Sequence, residues 1–280
     1  MVSIKVPGKL SIIPEYYFEF LEFAETMQKS QTTGIVLNFP AKTWTYPCGI
    51  VLLAQYAHAI KQLGQRILCK RMPRYLTEAI RCDIASILSL TTITDQRKTE
   101  ETSEKTLGFM KKHHSFKEGS LDSIIQENLD EMMSNAFQHS GRQSVSVYGQ
   151  YYKTKREVIL SVLDIGIGIP NHIRKKYNPD KNPGFENDAF CIQKATELGF
   201  TGSSFSKNSG VGLYDLKDIM KRTRNNLRII SGNGYFECIA GKERTGVLPI
   251  FFNGTLIDFQ ILLDEPVEIE PAKEEGGFPF

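Results

Sequence analysis

The stretch SVLDIGIGIP, residues 161–170, places an aspartate and two glycines directly after an apolar run. The run REVILSVLD (156–164) is rich in β-branched and other apolar residues, which predicts a buried strand ending at Asp164. An aspartate at this position can accept a hydrogen bond from an amino group in an apolar pocket. Gly166 and Gly168 would let a flat ring approach the backbone, where a β-carbon would clash. The same residues are also typical of an ordinary turn, and the stretch alone does not decide between the two.

The composition of the chain is that of a globular protein without a strong net charge. With 280 residues, a net charge of +2 and 41% hydrophobic residues, it has no overall field that favours nucleic acid or an anionic membrane. Its five cysteines show no metal-ligand spacing, which favours free thiols. The longest apolar stretch, residues 48–60, is too short to span a membrane and contains Gln55 and His58. Because the N-terminus has no signal-peptide pattern, a cytoplasmic protein is expected.

Alternating strand and helix patterns predict a small α/β domain over residues 1–92. Its predicted elements are a helix at 14–30, a strand at 34–40, a helix at 48–63 closed by Gly64, a strand at 65–70 and a helix at 73–84. The polar, charged segment that follows, residues 93–115, has few apolar anchors, and it is predicted to be a charged linker, either a domain boundary or a mobile connection.

A second α/β domain is predicted over residues 116–264. Its predicted elements are a helix at 120–140, strands at 144–152 and 156–164, a Gly/Asn/Lys-rich segment at 171–209, a helix from near Gly212, a hairpin at 227–241 turning at Asn233-Gly234, and a strand at 254–263. The acidic, proline-containing tail, residues 265–280, is predicted to be disordered.

Two residues of the 120–140 helix, Glu131 and Asn135, are one turn apart beside its apolar face. The side-chain carbonyl of Asn135 could hold a hydrated Mg²⁺, because Mg²⁺ prefers oxygen ligands and keeps several waters. The carboxylate of Glu131 would then be free to orient a water or hydroxyl nucleophile. The alternative is a solvated helix flank, since the pattern E-x-x-x-N is common.

In SKNSGVGLYDLKDIM (206–220), Gly210 and Gly212 lead directly into a predicted helix. A glycine-rich approach to a helix N-terminus presents free N–H groups and the positive end of the helix dipole, which favours phosphate. Lys207 adds a donor beside this end. The alternative is an ordinary helix N-cap after a loop.

Taken in order, these motifs resemble those of the GHKL superfamily of ATPases and kinases, over about residues 116–264. The resemblance implies an α/β sandwich, with a mixed sheet covered by helices on one face. The segment between the two glycine-containing motifs lies where the family has its ATP lid. EMMSNAFQHS (131–140) is similar to the N box, DIGIGIP (164–170) to the first glycine box, GVGL (210–213) to the second, and GTLIDFQILL (254–263) to the final strand.

The resemblance implies that the chain binds ATP and Mg²⁺. Glu131 would be the general base, Asn135 would hold Mg²⁺, and Asp164 would recognise the adenine amino group. For that role Asp164 is expected to be buried and ionised. The implied nucleotide-binding residues are Asn135, Asp164, Gly166, Gly168, Ile169, Lys207, Gly210, Val211, Gly212, Leu213 and Thr255.

Residues 34–84 resemble the STAS fold of anti-sigma-factor antagonists. In phosphorylatable members of that family a Ser or Thr precedes a glycine at the start of a helix. Here Cys48 precedes Gly49, and Thr43 and Thr45 are nearby but displaced from that position. Regulation by phosphorylation at the usual position is therefore not expected. A generic α/β docking or dimerisation domain is the alternative.

Three functions are compatible with these motifs: an ATPase or ATP-driven conformational switch, a serine/threonine kinase of the anti-sigma type, and a nucleotide-binding scaffold without catalysis. The first is the leading hypothesis. His113 and His114 lack the H-[ED]-x-[RK]-x-P context of a phosphoacceptor, so histidine autokinase activity is not expected. A protein partner or a homodimer is expected, whereas a membrane or nucleic-acid partner is not.

Overall fold

The computed structural model of the chain describes residues 1–81, 87–113, 126, 129–130, 133–134, 144–198 and 212–263. The described residues from 126 to 134 are helical. The other helices are α1 Tyr17–Lys29, α2 Pro47–Gln62, α3 Arg74–Arg81, α4 Thr99–His113, α5 Gly168–Lys176, α6 Asp188–Ala195 and α7 Gly212–Arg222. The strands are β1 Val2–Lys5, β2 Lys9–Leu10, β3 Ile35–Asn38, β4 Trp44–Thr45, β5 Ile67–Lys70, β6 Ile87–Ile93, β7 Val145–Tyr152, β8 Glu157–Asp164, β9 Asn226–Ile239 and β10 Lys242–Leu262.

The predicted α/β class is confirmed, with parallel and antiparallel sheets in one chain. The described strands of the N-terminal part form a parallel sheet, in the order β1-β3-β5, and a small parallel pair, β2-β4. The later strands form an antiparallel sheet in the order β6-β7-β8-β10-β9. Strand β8 lies at the centre of this five-stranded sheet, and each of its residues is buried. Its continuous apolar run is therefore explained by the covering of both faces of the sheet.

Helices cover both faces of the five-stranded sheet, whereas the family resemblance implied one covered face. Helices α1 and α2 pack on one face, in a cluster of buried apolar residues that includes Leu163 and Leu256 and is called cluster 1 here. Phe20 of α1 stacks on Phe252 of β10, with 6.2 Å between ring centroids. Helices α4 and α7 and the helical residues Leu129 and Met133 pack on the other face, in cluster 2. The expectation fails because the N-terminal helices bury their apolar sides on this sheet.

The segment 93–115, predicted to be a charged linker, contains a packed helix. Helix α4 fills most of it and buries Leu107, Phe109 and Met110 in cluster 2. Strand β6, just before it, pairs with β7 as the edge of the five-stranded sheet. The prediction was wrong because a few apolar residues on one side are enough to fix a helix whose other side is charged.

The hairpin of β9 and β10 turns at a different place from the predicted Asn233-Gly234. Strand β9 continues through both residues, and the turn is at Ala240 and Gly241, whose φ angles are 49° and 81°. A β-carbon on Gly234 would lie 2.6 Å from the backbone nitrogen of Ala189. The glycine therefore allows α6 to approach the strand, and the Asn-Gly pair, usually a hairpin signal, has a packing role here.

Helix α2 agrees with its prediction at both ends. Pro47 is in its first turn, and Gly64, just beyond it, has a φ of +72° that suits a glycine. Cys48 is 1% exposed, and burial raises the pKa of its thiol well above the usual range, as for a structural cysteine. None of the described helices is long and apolar enough to cross a membrane.

Candidate functional site

The site begins at Asp164, the last residue of β8. In the five-stranded sheet it is paired with Val145 of β7 on one side and with Thr255 of β10 on the other. Val162 lies in cluster 2, and side chains alternate along a strand, so the carboxyl of Asp164 lies on the face covered by α4 and α7. The sheet thus brings together Asp164 and Thr255, two residues singled out by the sequence.

Asp164 is 7% exposed, which confirms its expected burial. Burial raises its pKa to about 7, and a hydrogen bond from the Thr255 hydroxyl opposes this rise. The expectation that Asp164 is ionised is therefore corrected, because near pH 7 the neutral and ionised forms are both present. A further hydrogen-bond donor at this carboxyl would favour the ionised form.

A serine that the sequence motifs did not reveal connects this pair to the following turn. Ser231 of β9 is fully buried and paired with Thr255. Its hydroxyl donates to the carbonyl of Gly254 at 2.6 Å and lies 3.3 Å from Oγ1 of Thr255. It also accepts a hydrogen bond of 3.0 Å from the backbone N–H of Ile169. The sequence shows only a hydroxyl residue at the end of the apolar run LRIIS (227–231). Its place in the site depends on its pairing with Thr255 across the strands, which the sequence does not show.

The turn after β8 depends on the glycine at its end. Gly168 has a φ of +76°, and a β-carbon there would lie 2.6 Å from Oγ of Ser231 and 3.1 Å from the carbonyl of Gly254. Glycine is therefore required by the protein's own packing at this position. Gly166 is buried in the same turn. The approach of a flat base to these two glycines stays a prediction.

Helix α7 begins with another predicted residue, the buried Gly212. The predicted residues Leu213 and Ile169 both pack on the edge of cluster 2, on the side of the sheet that carries Asp164. The N-terminal end of this 11-residue helix offers backbone N–H groups and a positive dipole end.

Five of the predicted residues, Glu131, Asn135, Lys207, Gly210 and Val211, lie outside the described residues. Among the described residues close to Glu131 and Asn135 in sequence, Leu129 and Met133 are buried in cluster 2. These two residues therefore pack on the same face of the sheet as the carboxyl of Asp164.

The described part of the predicted lid segment, from 171 to 198, is largely helical and attached to β9. Asp188 at the start of α6 pairs with Arg174 of α5 and accepts a hydrogen bond of 2.6 Å from the backbone N–H of Asn233. Arg174 also donates to the carbonyl of Phe185 at 2.7 Å. The predicted lid segment is therefore anchored over this range, with residues 199–211 outside the described part.

In comparisons with known proteins, no family model matches the chain and no curated protein matches it.

Proposed function

We propose that the chain binds ATP with Mg²⁺ at the carboxyl end of β8 and hydrolyses it or uses it as a conformational switch, as the GHKL resemblance implies. The observation that carries this proposal is that Asp164, Thr255 and Ser231 lie side by side on three neighbouring strands, with Thr255 donating a hydrogen bond to Asp164. Two of the three belong to the sequence motifs: Asp164 lies in DIGIGIP (164–170) and Thr255 in GTLIDFQILL (254–263). Their side chains share the sheet face on which α7 begins.

The adenine end of the site would be Asp164. A carboxylate can accept several hydrogen bonds, and Thr255 supplies one of them. The adenine amino group would supply another, in a buried setting where hydrogen bonds to a charged acceptor are strong. Because donation to the ionised form lowers the pKa of a carboxyl, ATP binding should release a proton near pH 7.

The phosphate end would be the start of α7. Because it has no side chain, Gly212 would let an anion approach the backbone N–H groups of the first turn, where the helix dipole favours negative charge. Gly210, Val211 and Lys207 would extend this cradle. Asn135 would hold Mg²⁺, which neutralises phosphate charge when it is bound, and Glu131 would orient the attacking water.

Binding is tested with Asp164→Asn, measured by calorimetric titration with Mg-ATP. Loss of a charged hydrogen-bond acceptor should weaken binding by about 10- to 100-fold. The matched control is Asp258→Asn, another buried aspartate of the same sheet, whose carboxyl accepts from Ser161. It should change ATP affinity less than about twofold, because Leu256 and Asp258 share the face of cluster 1. Equal effects of the two variants would contradict the assignment of the adenine end.

The reaction is tested with γ-labelled ATP and Glu131→Ala. Free labelled phosphate from the wild type, lost in the variant while ATP binding persists, is the result expected of an ATPase. Label on protein would instead support the serine/threonine kinase. Binding without either product, with candidate partners present, would support the scaffold.

A further inference from the structure

Gln55 of α2 is a buried polar residue that reaches from the N-terminal helices to the strand ending at Asp164. Its side chain is 1% exposed in the otherwise apolar cluster 1. Its Nε2 donates to the backbone carbonyl of Leu163 at 3.0 Å, and its Oε1 accepts from the hydroxyl of Ser144 at 3.1 Å. Because a carbonyl can only accept, the Leu163 bond fixes the orientation of the amide.

Both hydrogen bonds end one residue away from the pair formed by Asp164 and Val145. The carbonyl of Leu163 shares its peptide plane with the N–H and Cα of Asp164, so a bond to that carbonyl restrains the direction in which the aspartate side chain leaves the backbone. Ser144 immediately precedes Val145, the β7 partner of Asp164. Gln55 therefore holds the ends of both strands beside the candidate adenine-recognising carboxyl.

We propose that Gln55 is a positioning residue for Asp164, so that α2 forms part of the nucleotide site and sets its selectivity for the base. This inference rests on the proposed function. Gln55 would touch neither the nucleotide nor Mg²⁺, since it lies on the opposite face of the sheet from the Asp164 carboxyl. Gln55 would hold the Asp164 carboxyl in the position where it accepts a hydrogen bond from the adenine amino group.

The test is Gln55→Met, which keeps the length of the side chain and removes its hydrogen bonds. Binding of ATP and of inosine triphosphate, which has a carbonyl in place of the amino group, is measured by titration calorimetry. The wild type should prefer ATP. The variant should lower this preference by about fivefold, the equivalent of one hydrogen bond, with most of the loss in ATP affinity.

The control is Ile60→Val, a core change in the same helix, since Ile60 is fully buried in cluster 1. It should lower the urea concentration at the midpoint of unfolding and leave the ATP preference unchanged. Ser144→Ala, which removes the partner of Gln55 Oε1, is the second variant should Gln55→Met not fold. It should lower the preference in the same direction.

An unchanged ATP preference in a folded Gln55 or Ser144 variant would overturn the positioning role and leave the proposed function standing. An equal loss of preference in Ile60→Val would overturn it too, because general loosening of the core would then explain the effect. A wild type that binds neither nucleotide would overturn the proposed function, and the role of Gln55 with it.

Discussion

Asp164 and Asp258 are two buried carboxyls of the same sheet, with different hydrogen-bond partners. Burial raises the pKa of both, to about 7 for Asp164 and to about 6 for Asp258. Asp258 accepts from Ser161 and lies within the field of Arg228, which opposes the rise, whereas the opposing group at Asp164 is Thr255. A buried carboxyl with a strongly raised pKa is characteristic of functional sites, and this one is at the strand end that the sequence motif selected.

The raised pKa of Asp164 predicts a pH-dependent effect on stability. The ordinary pKa of an unfolded aspartate is about 3.9, so between about pH 4 and 7 the folded chain holds a proton that the unfolded chain releases. Stability from the neutral carboxyl is thus fully present below pH 4 and is lost as the pH rises to about 7. Asp164→Asn should be more stable than the wild type above pH 7, by an amount on the order of a few kcal/mol.

The measurement is the melting temperature of both proteins from pH 4 to 8, without nucleotide. Their difference should grow between pH 4 and 7 and then level off. Subtracting the wild type removes the contribution of Asp258, which both proteins share. A difference that does not vary with pH would contradict a raised pKa at Asp164.

At the scale of elements, the turn between β8 and α5 is fixed by contacts with β9 and β10. Ile169 donates to Ser231, which in turn donates to Gly254, so three elements meet at two hydrogen bonds. Gly254 has a φ of +115°, and a β-carbon there would lie 2.0 Å from the carbonyl oxygen of Asp164. Gly168 at the start of α5 and Gly254 within β10 therefore allow the backbones to meet beside the carboxyl.

Gly168→Ala should destabilise the protein. Its φ of +76° is unfavourable for alanine, and the new methyl group would meet Oγ of Ser231. We expect a loss of about 1–3 kcal/mol in the free energy of unfolding, measured by urea titration. In the control, Gly108→Ala, the methyl group meets nothing within 4 Å in helix α4, so stability should rise by up to about 1 kcal/mol. A neutral Gly168→Ala would show that this turn can rearrange.

At the scale of the whole molecule, the central sheet is shared between the N-terminal helices and the later elements. Cluster 1 joins residues of α1 and α2 to residues of β7, β8, β9 and β10. Tyr17 of α1 also donates to Glu237 of β9 at 2.9 Å, beside Arg228. The N-terminal part therefore supplies half of the covering that buries β8.

This sharing predicts that the described parts unfold together. Phe20→Ala removes a fully buried ring that stacks on Phe252, and should cost about 3–5 kcal/mol. Phe18, two residues earlier on the same helix, is 55% exposed, so Phe18→Ala should stay within about 0.5 kcal/mol of the wild type. Calorimetry should show one transition, shifted as a whole by Phe20→Ala. Two transitions, of which only one shifts, would contradict a shared core.

Local patterns were reliable where a segment's own residues determine its structure. The β-branched run before Asp164 predicted β8, and Gly64 marked the end of α2. The same reasoning failed at Asn233-Gly234, because a glycine needed for close packing looks like a glycine needed for a turn. It also failed at α4, because its few apolar residues are buried by contacts with elements distant in sequence.

The sequence by itself determined the class of the fold, most of its strands and helices, and Asp164 and Thr255 as candidate partners in a nucleotide site. Hydrophobic periodicity and turn-forming residues depend on neighbours in the chain, so the sequence alone is enough to predict helices, strands and turns from them. Only the tertiary structure decided that Ser231 joins this pair, that α1 and α2 cover the central sheet, and that Gln55 holds the strand end beside Asp164. These contacts join residues far apart in sequence, and they arise when burial of apolar surface brings the elements together.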